Sequence, residues 1–571
     1  APQTSIQLQS HCTRALPRRV SLKLSLLVCS ARHACSLALL NHRCIFERAP
    51  PPHRTTLRPP NSQTSARMST IISSSPDNEL FSKELISSLD FSSNATICCD
   101  TPTLFPQSSD GYCSDHSDCD SWGPNKFEVQ GGITQIQNAH AGAEIREMPA
   151  GYCMAGLMRE LTANTETDNA LFVIDLSTVM RKLGDWREHL PRVKPHYAIK
   201  CNNDEVICRM LAQAGCGFDC ASKDELAQCL AMGVPANSLI YANPCKQTSM
   251  LRYARAVGVR KMTADNVEEL HKIHAVFPEA SIVLRIAVDD SKSVCRFNSK
   301  FGAPEHEWDS LLSTAKALDL DIMGISFHVG SGCGDLKPFA DAVASARDAF
   351  DLARSYGFNP TLLDCGGGWP GSDDGTFTFA QLANVVGEAI DHYFPASCGV
   401  EIMAEPGRYM VCASHTYSVA VIAKRQLSAS QLADTAGIES FGAKAVSSKD
   451  SEDIITSHHD DGFKKTEASN ETPEVALYIN DGVYGSFNCV VFDHAEVEPI
   501  PLLPRAGAKL TKLFGPTCDS IDVVMGCTRL PEMHIGDWLM FEKMGAYTRC
   551  AASRFNGQGA HDLHYIWAGM P

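Results

Sequence analysis

Several polar residues in this chain have types and spacings that can serve one reaction. Lys200 ends the run HYAIK, Asp219 lies in GFDCA, Arg285 in IVLRI and His328 in MGISFHV. Gly366, Gly367 and Gly368 follow TLLDC, and EIMAEPG carries Glu405 just ahead of Arg408. Taken singly, each has an ordinary reading. A lysine at a strand end is commonly solvated, a histidine beside Phe327 can be a satisfied core residue, and three glycines are usually a turn. Taken together they describe a reagent. A lysine on a rigid strand can form a Schiff base with an aldehyde. Consecutive glycines let backbone N–H groups approach a phosphate, which Arg408 can clamp. Glu405 can pair with a pyridinium nitrogen, and the His328 ring can stack on another ring. An aldehyde, a phosphate and a basic pyridine are the parts of pyridoxal 5′-phosphate. At about 3 Å and an effective dielectric of about 20, a glutamate–pyridinium pair is worth roughly 5 kcal/mol as an upper figure. A ring held protonated draws electrons from Cα. That sink also serves racemisation and transamination, so these residues indicate the cofactor rather than one reaction.

The elements that must position these residues follow a rhythm. Short β-branched runs occur at 196–200, 217–221, 239–243, 261–265, 282–286, 323–329, 361–367 and 401–407. All but the last are followed by a helical pattern, such as 205–214 and 339–356. Strands separated by helices imply parallel βαβ units, and eight of them fit a (β/α)8 barrel spanning 171–410. An open doubly wound sheet is the alternative, but its G-x-G-x-x-G fingerprint is missing after the first strand. In a barrel the C-terminal strand ends converge on one mouth, which is where the polar residues fall. From 411 to 571 the strand patterns YSVAVIAKRQ, VALYIND, CVVFDH, GDWLMFEKMGAY and LHYIWAG lack intervening helices and predict a second, all-β domain. Residues 126–170, with a strand pattern near 133–148, are expected to contribute to it.

Composition narrows the remaining classes. Fifty Lys/Arg against 66 Asp/Glu give a net charge of −16, which argues against a nucleic-acid binder and tolerates a cationic substrate. No run of 18 apolar residues occurs, so no transmembrane helix is expected. The 24 cysteines are scattered, without a C-x-x-C pair, and read as reduced small hydrophobes of a cytoplasmic protein. Residues 1–125 read as leader and disordered sequence. Within them, 1–67 hold ten Lys/Arg and one acid, Glu47. That start resembles a mitochondrial transit peptide; the favoured alternative, given Ala1 at the start, is translated leader ahead of Met68. Residues 427–472, acidic and rich in Ser and Thr, predict a solvated insertion. Its HHDD run, His458 to Asp461, reads as flexible loop rather than a metal site. No extended tail is expected beyond the last strand.

The motifs PHYAIKCN, FDCASKDE, IYANPCKQ, LRIAVDDSKSVCRF, SFHVGSGC, LLDCGGGWPGS, AEPGRY, INDGVYGSFNCVVFDHA, FGPTCDSID, LPEMHIGDW and FEKMGAYT resemble eukaryotic ornithine decarboxylases across about 130–570, apart from the acidic insertion. The resemblance implies a fold-type III pyridoxal-phosphate enzyme, a barrel plus β domain acting as a homodimer. It implies decarboxylation of L-ornithine to putrescine and CO2, the first step of polyamine biosynthesis. By resemblance Lys200 carries the cofactor, Glu405 meets its ring nitrogen and His328 stacks on the ring. Ser331, Gly366, Gly367, Gly368, Arg408 and Tyr547 bind the phosphate; Asp219, Glu225 and Arg285 lie near the cofactor. Cys518 in GPTCD would protonate Cα, and Asp519 beside it would contact the distal amine, both from the partner subunit. Asp493 would be the second amine contact. Phe492 stands before it where the family often has tyrosine, which removes a hydroxyl and keeps the ring.

The substrate class has its own physical reading. Two carboxylates facing one pocket repel unless a cation lies between them. A diamino acid supplies that cation, whereas diaminopimelate brings a further carboxylate. Lysine differs from ornithine by one methylene, worth about 1–3 kcal/mol, so a lysine/ornithine decarboxylase of broader specificity is a second reading. A third is a non-catalytic paralogue that sequesters the family's protein inhibitor, but such paralogues lose cofactor residues that this chain keeps. An antizyme-like inhibitor of the enzyme itself is suggested by the family alone.

Overall fold

The structure, a computed structural model, describes residues 143–427 and 473–569. The leader expected over 1–125, nearly all of the acidic insertion and its HHDD run lie outside the described residues.

The first described strand, β1 (Ile145–Met148), is followed by α1 (Met154–Asn164), β2 (Ala170–Asp175) and α2 (Leu176–His189). Asp175 forms the joint between β2 and α2. Its carboxylate caps the helix by accepting from the Ser177 and Thr178 amides, satisfying N–H groups that the first turn leaves orphaned.

Eight short strands then alternate with helices: β3 (Val193–Ala198), β4 (Gly217–Cys220), β5 (Leu239–Tyr241), β6 (Lys261–Ala264), β7 (Ser281–Arg285), β8 (Asp321–Ser326), β9 (Leu362–Asp364) and β10 (Glu401–Ala404). They pair in parallel and close, with Ile402 of β10 opposite Val193 of β3. Their interiors are buried on both faces, which is why they read as continuous apolar runs rather than alternating ones. The helices that cover them bury one stripe each; the longest, α3 (Lys337–Ser355), sets Phe339, Val343, Ala346 and Phe350 inward at helical spacing.

The sheet domain holds β11 (His415–Gln426), β12 (Val475–Ile479), β13 (Ile500–Pro501), β14 (Lys509–Phe514), β15 (Val523–Leu530), β16 (Trp538–Phe541) and β17 (His561–Ala568). With β1 and β2 they form one sheet of order β1-β17-β2-β11-β12-β14-β15, with β16 on β11 and β13 on β16. Two expectations change here. β2 falls where the barrel was expected to begin, yet it pairs with β11 and β17 in the sheet domain. CVVFDH, expected as a strand, is the short helix α4 (Asn488–Phe492). Asn488 imposes that turn, because its Nδ2 donates to Gly485 O at 2.6 Å and Thr548 O at 2.7 Å. No helix among the described residues is long and apolar enough to cross a membrane.

Candidate active site

Lys200 lies not on β3 but in the tight turn Ile199–Cys201 that follows it. The turn is held from several sides. Tyr197 Oη donates to Asn202 O at 2.8 Å, the Tyr547 amide donates to Cys201 O at 3.0 Å, and Asn202 Nδ2 reaches Gly545 O at 2.9 Å and His415 Nε2 at 3.1 Å. From this mount Lys200 Nζ pairs with the buried carboxylate of Asp219, at the end of β4. Burial opposes the ammonium charge, but Asp219 and Glu405 outweigh it and hold the amine above its ordinary range. Asp219 is pushed up to about 7 by burial and by Glu405, against the pull of Lys200. Glu225, in the first turn of the helix after β4, accepts from the Ala221 amide at 2.5 Å, and burial raises its carboxyl.

Around the mouth, β7, β9 and β10 bring together Arg285, Asp364 and Glu405, all at most 5% exposed. His328, just past β8, accepts at Nδ1 from the Gly367 amide at 3.0 Å, so its proton lies on Nε2, 3.0 Å from Glu405 Oε2. Burial and the Arg285 charge lower His328, keeping it neutral. Burial acts to raise Glu405, but His328 and Lys200 prevail and hold it anionic, while burial and Glu405 push Asp364 up. Neither Glu405 oxygen completes a hydrogen bond of good geometry; nor do Asp219 Oδ1, Asp364 Oδ2, or Arg285 Nε and Nη2. Each such buried orphan costs about 1–3 kcal/mol. Their concentration at one mouth marks a place built to receive a polar group.

The phosphate side is formed by close backbone contacts. Gly366 has φ +60°, and a Cβ there would fall 1.9 Å from Phe327 O; at Gly368, with φ +101°, it would fall 2.4 Å from Gly330 O. The glycines therefore let this loop press against the one bearing His328 and Ser331. Arg408 donates from Nε to Ser331 Oγ at 3.2 Å and from Nη2 to Asp493 Oδ1 at 2.6 Å, and lies 5.1 Å from the centroid of the Tyr547 ring. A cavity of about 390 Å³ opens here, lined by Ser331, Gly368, Arg408, Asp493 and Cys295 among others.

This donor set fits pyridoxal phosphate. Lys200 offers the amine, Glu405 a buried anionic carboxylate for the ring nitrogen, and the glycine loop with Ser331 and Arg408 a phosphate cradle. Asp493, expected as an amine contact, lies in the same cavity but bonds the arginine of the cradle. Cys518 and Asp519 are not among the residues that line this cavity. The Cys518 amide donates to Asn556 Oδ1 at 2.9 Å, and Asp519 Oδ2 accepts from Tyr484 Oη at 2.6 Å. Cys518 is exposed, Asp519 is half-buried, and Phe492 is 74% exposed. Sequence reasoning missed Asp364 as a member of the cluster, although an acid ending the apolar run TLLD just before the glycines was a signal. It also missed Asn202, whose role depends on a β-domain carbonyl.

The comparisons agree with this geometry. Residues 176–412 match the pyridoxal binding domain of the pyridoxal-dependent decarboxylases, and 449–545 match the family's C-terminal sheet domain. The chain belongs to the pyridoxal-dependent decarboxylase family. Within it, the chain is 44% identical to ornithine decarboxylase of Mus musculus, over 72% of this chain and 83% of that one. It is 43% identical to antizyme inhibitor 2 of Xenopus laevis, over 73% and 85%. Among solved structures it resembles the arginine decarboxylase of Paramecium bursaria Chlorella virus, with 32% identity, TM-score 0.62 and coverage of 72% of this chain and 100% of that one. Lysine/ornithine decarboxylase of Vibrio vulnificus, complexed with putrescine, follows at 25% identity and TM-score 0.58, with 72% and 97% covered.

Proposed function

We propose that the chain is a cytoplasmic enzyme that decarboxylates L-ornithine to putrescine and CO2. One observation carries the reading: the Glu405 carboxylate, 2% exposed and without a completed hydrogen bond, shares the barrel mouth with the Lys200 amine. A merely structural barrel would gain by replacing such a group with an apolar one.

When bound, pyridoxal phosphate supplies the electron sink for the pair left at Cα as CO2 departs. The chain's own residues do the rest. Lys200 Nζ, held in place by Asp219, would be the amine that holds the cofactor's aldehyde carbon. The buried, anionic Glu405 would hold a proton at the cofactor's ring nitrogen. Neutral His328 presents a flat ring while its Nε2–H faces Glu405. Ser331, the triglycine loop, Arg408 and Tyr547 hold the phosphate. Asp493 and Asp519 orient the distal ammonium, and Cys518 Sγ delivers a proton to Cα. Because Cys518 and Asp519 do not line the cavity at the barrel mouth, we assign them to the site of a homodimer partner. Exposed Phe492, Ile521, Phe555 and Val294 support a covered face there.

Product analysis tests the reading. Holoenzyme given L-ornithine should yield CO2 and putrescine in equal amounts, with lysine about 10- to 100-fold poorer in kcat/KM. Comparable rates on lysine would favour the broader decarboxylase. The similarity to an antizyme inhibitor favours a second reading, a non-catalytic paralogue. In that case the purified protein should show no absorption band from a lysine-bound cofactor and release no CO2.

A further inference from the structure

We infer that Asp522 is a positioning residue that sets the Cys518 thiol, an inference that rests on the decarboxylase reading above. Cys518 lies at the tip between β14 and β15, on a segment that begins at Gly515 and returns at Asp522. Asp522 closes that segment from inside. Its carboxylate, 1% exposed as a residue, accepts from the Thr517 amide at 3.0 Å, Thr517 Oγ1 at 2.7 Å and the Val483 amide at 2.9 Å. Its carbonyl accepts from the Gly515 amide at 2.9 Å, and its own amide donates to Asp519 O at 3.2 Å. One side chain thus ties the thiol's segment to a second loop, the one after β12, which also supplies Tyr484 to Asp519.

The surrounding sequence makes room for this clamp. A Cβ on Gly482 would fall 2.1 Å from Asp522 Oδ1, and one on Gly515 would fall 2.2 Å from it. Both loops give up a side chain where the carboxylate sits. Two residues from the clamp's anchor at Thr517 lies Asp519, and directly beside it Cys518, so slack there moves the proton donor relative to Cα.

The chemical consequence is specific. When the proton goes to Cα, the diamine leaves and the cofactor is regenerated. When it goes instead to the cofactor's former aldehyde carbon, the substrate's amine nitrogen stays on the cofactor. Ornithine and pyridoxal phosphate then become CO2, 4-aminobutanal and pyridoxamine phosphate, with no net water. The cofactor carbon is reduced and the substrate carbon oxidised.

The test is Asp522→Asn in the full-length holoenzyme, whose side-chain NH2 would face N–H donors. Turnovers ending in pyridoxamine phosphate, as a fraction of CO2 released, should rise at least tenfold over the parent. Amide exchange in peptides covering 482–486 and 515–519 should quicken at least tenfold while barrel peptides stay unchanged. Thr517→Val, which removes one donor and keeps the amide, should shift both readouts the same way by less, and decides the matter if Asp522→Asn does not fold. A parallel fall of CO2 and diamine with an unchanged fraction would overturn the inference, as would unchanged exchange. If the parent protein itself releases no CO2, the decarboxylase reading falls, and the exchange measurement still decides whether the clamp exists.

Discussion

Lys200 and Arg285 share the barrel mouth with three buried acids, of which burial and Glu405 push Asp219 and Asp364 up while Glu405 stays anionic. Glu405 is the carboxylate that a protonated ring nitrogen would meet. Replacing Lys200 by Ala should abolish the borohydride-reducible cofactor adduct and lower turnover by at least about 10³-fold, read as kcat with ornithine. A second side chain gives the fold a pH dependence. Burial lowers His415 to about 4, so the folded chain refuses a proton that the unfolded chain takes up below about 6.5. Stability should hold above that pH and fall by up to about 3 kcal/mol as pH drops towards 4. Urea midpoints measured from pH 7 to 4 check this, and His415→Gln should flatten the acid limb. The polar residues of the barrel mouth were legible in the sequence because they sit at or just past strand ends, where packing alone would not choose them. Their partners were not. Arg408 meets Asp493, 85 positions away, and Asn202 meets Gly545, 343 away, so no local pattern announces either pair.

Among the elements, turns and caps do the positioning. Asp175 joins the sheet domain to the first helix of the barrel, and Asp175→Ala should cost about 1–2 kcal/mol, visible as a lower urea midpoint. Gly366 and Gly399 offer a controlled comparison. Both have positive φ, +60° and +67°, but an added Cβ meets Phe327 O at the first and nothing within 4 Å at the second. Gly366→Ala should weaken pyridoxal phosphate binding at least tenfold by cofactor titration, while Gly399→Ala should leave it near the parent value. The eight-strand rhythm was readable because parallel strands buried on both faces stay apolar throughout. CVVFDH misled for the same kind of reason. Val490 and Val491 suit a strand, but the Asn488 hydrogen bonds fix a helical turn, and tertiary contacts override a weak β preference.

For the whole molecule, the proposed dimer would make assembly part of the chemistry, with Cys518 of one subunit serving Lys200 of the other. Equal amounts of Lys200→Ala and Cys518→Ala subunits, unfolded together and refolded, should recover about a quarter of wild-type activity if statistical heterodimers each carry one intact site. Recovery no greater than the two variants alone would place thiol and lysine in the same subunit. The sheet domain also encloses the barrel in chain order, because β1 and β2 precede it and β17, which pairs with both, follows the other described strands. A nascent chain must therefore carry β1 and β2 with an unfilled edge through synthesis of more than four hundred residues, from Met148 to His561. Until β17 leaves the ribosome, that edge is open to stray pairing. Loss of β17, by premature termination or proteolysis, would then leave a chain whose barrel is fully translated but prone to aggregate, and chaperone demand should be set by the stretch of translation that delivers β17 rather than by the barrel.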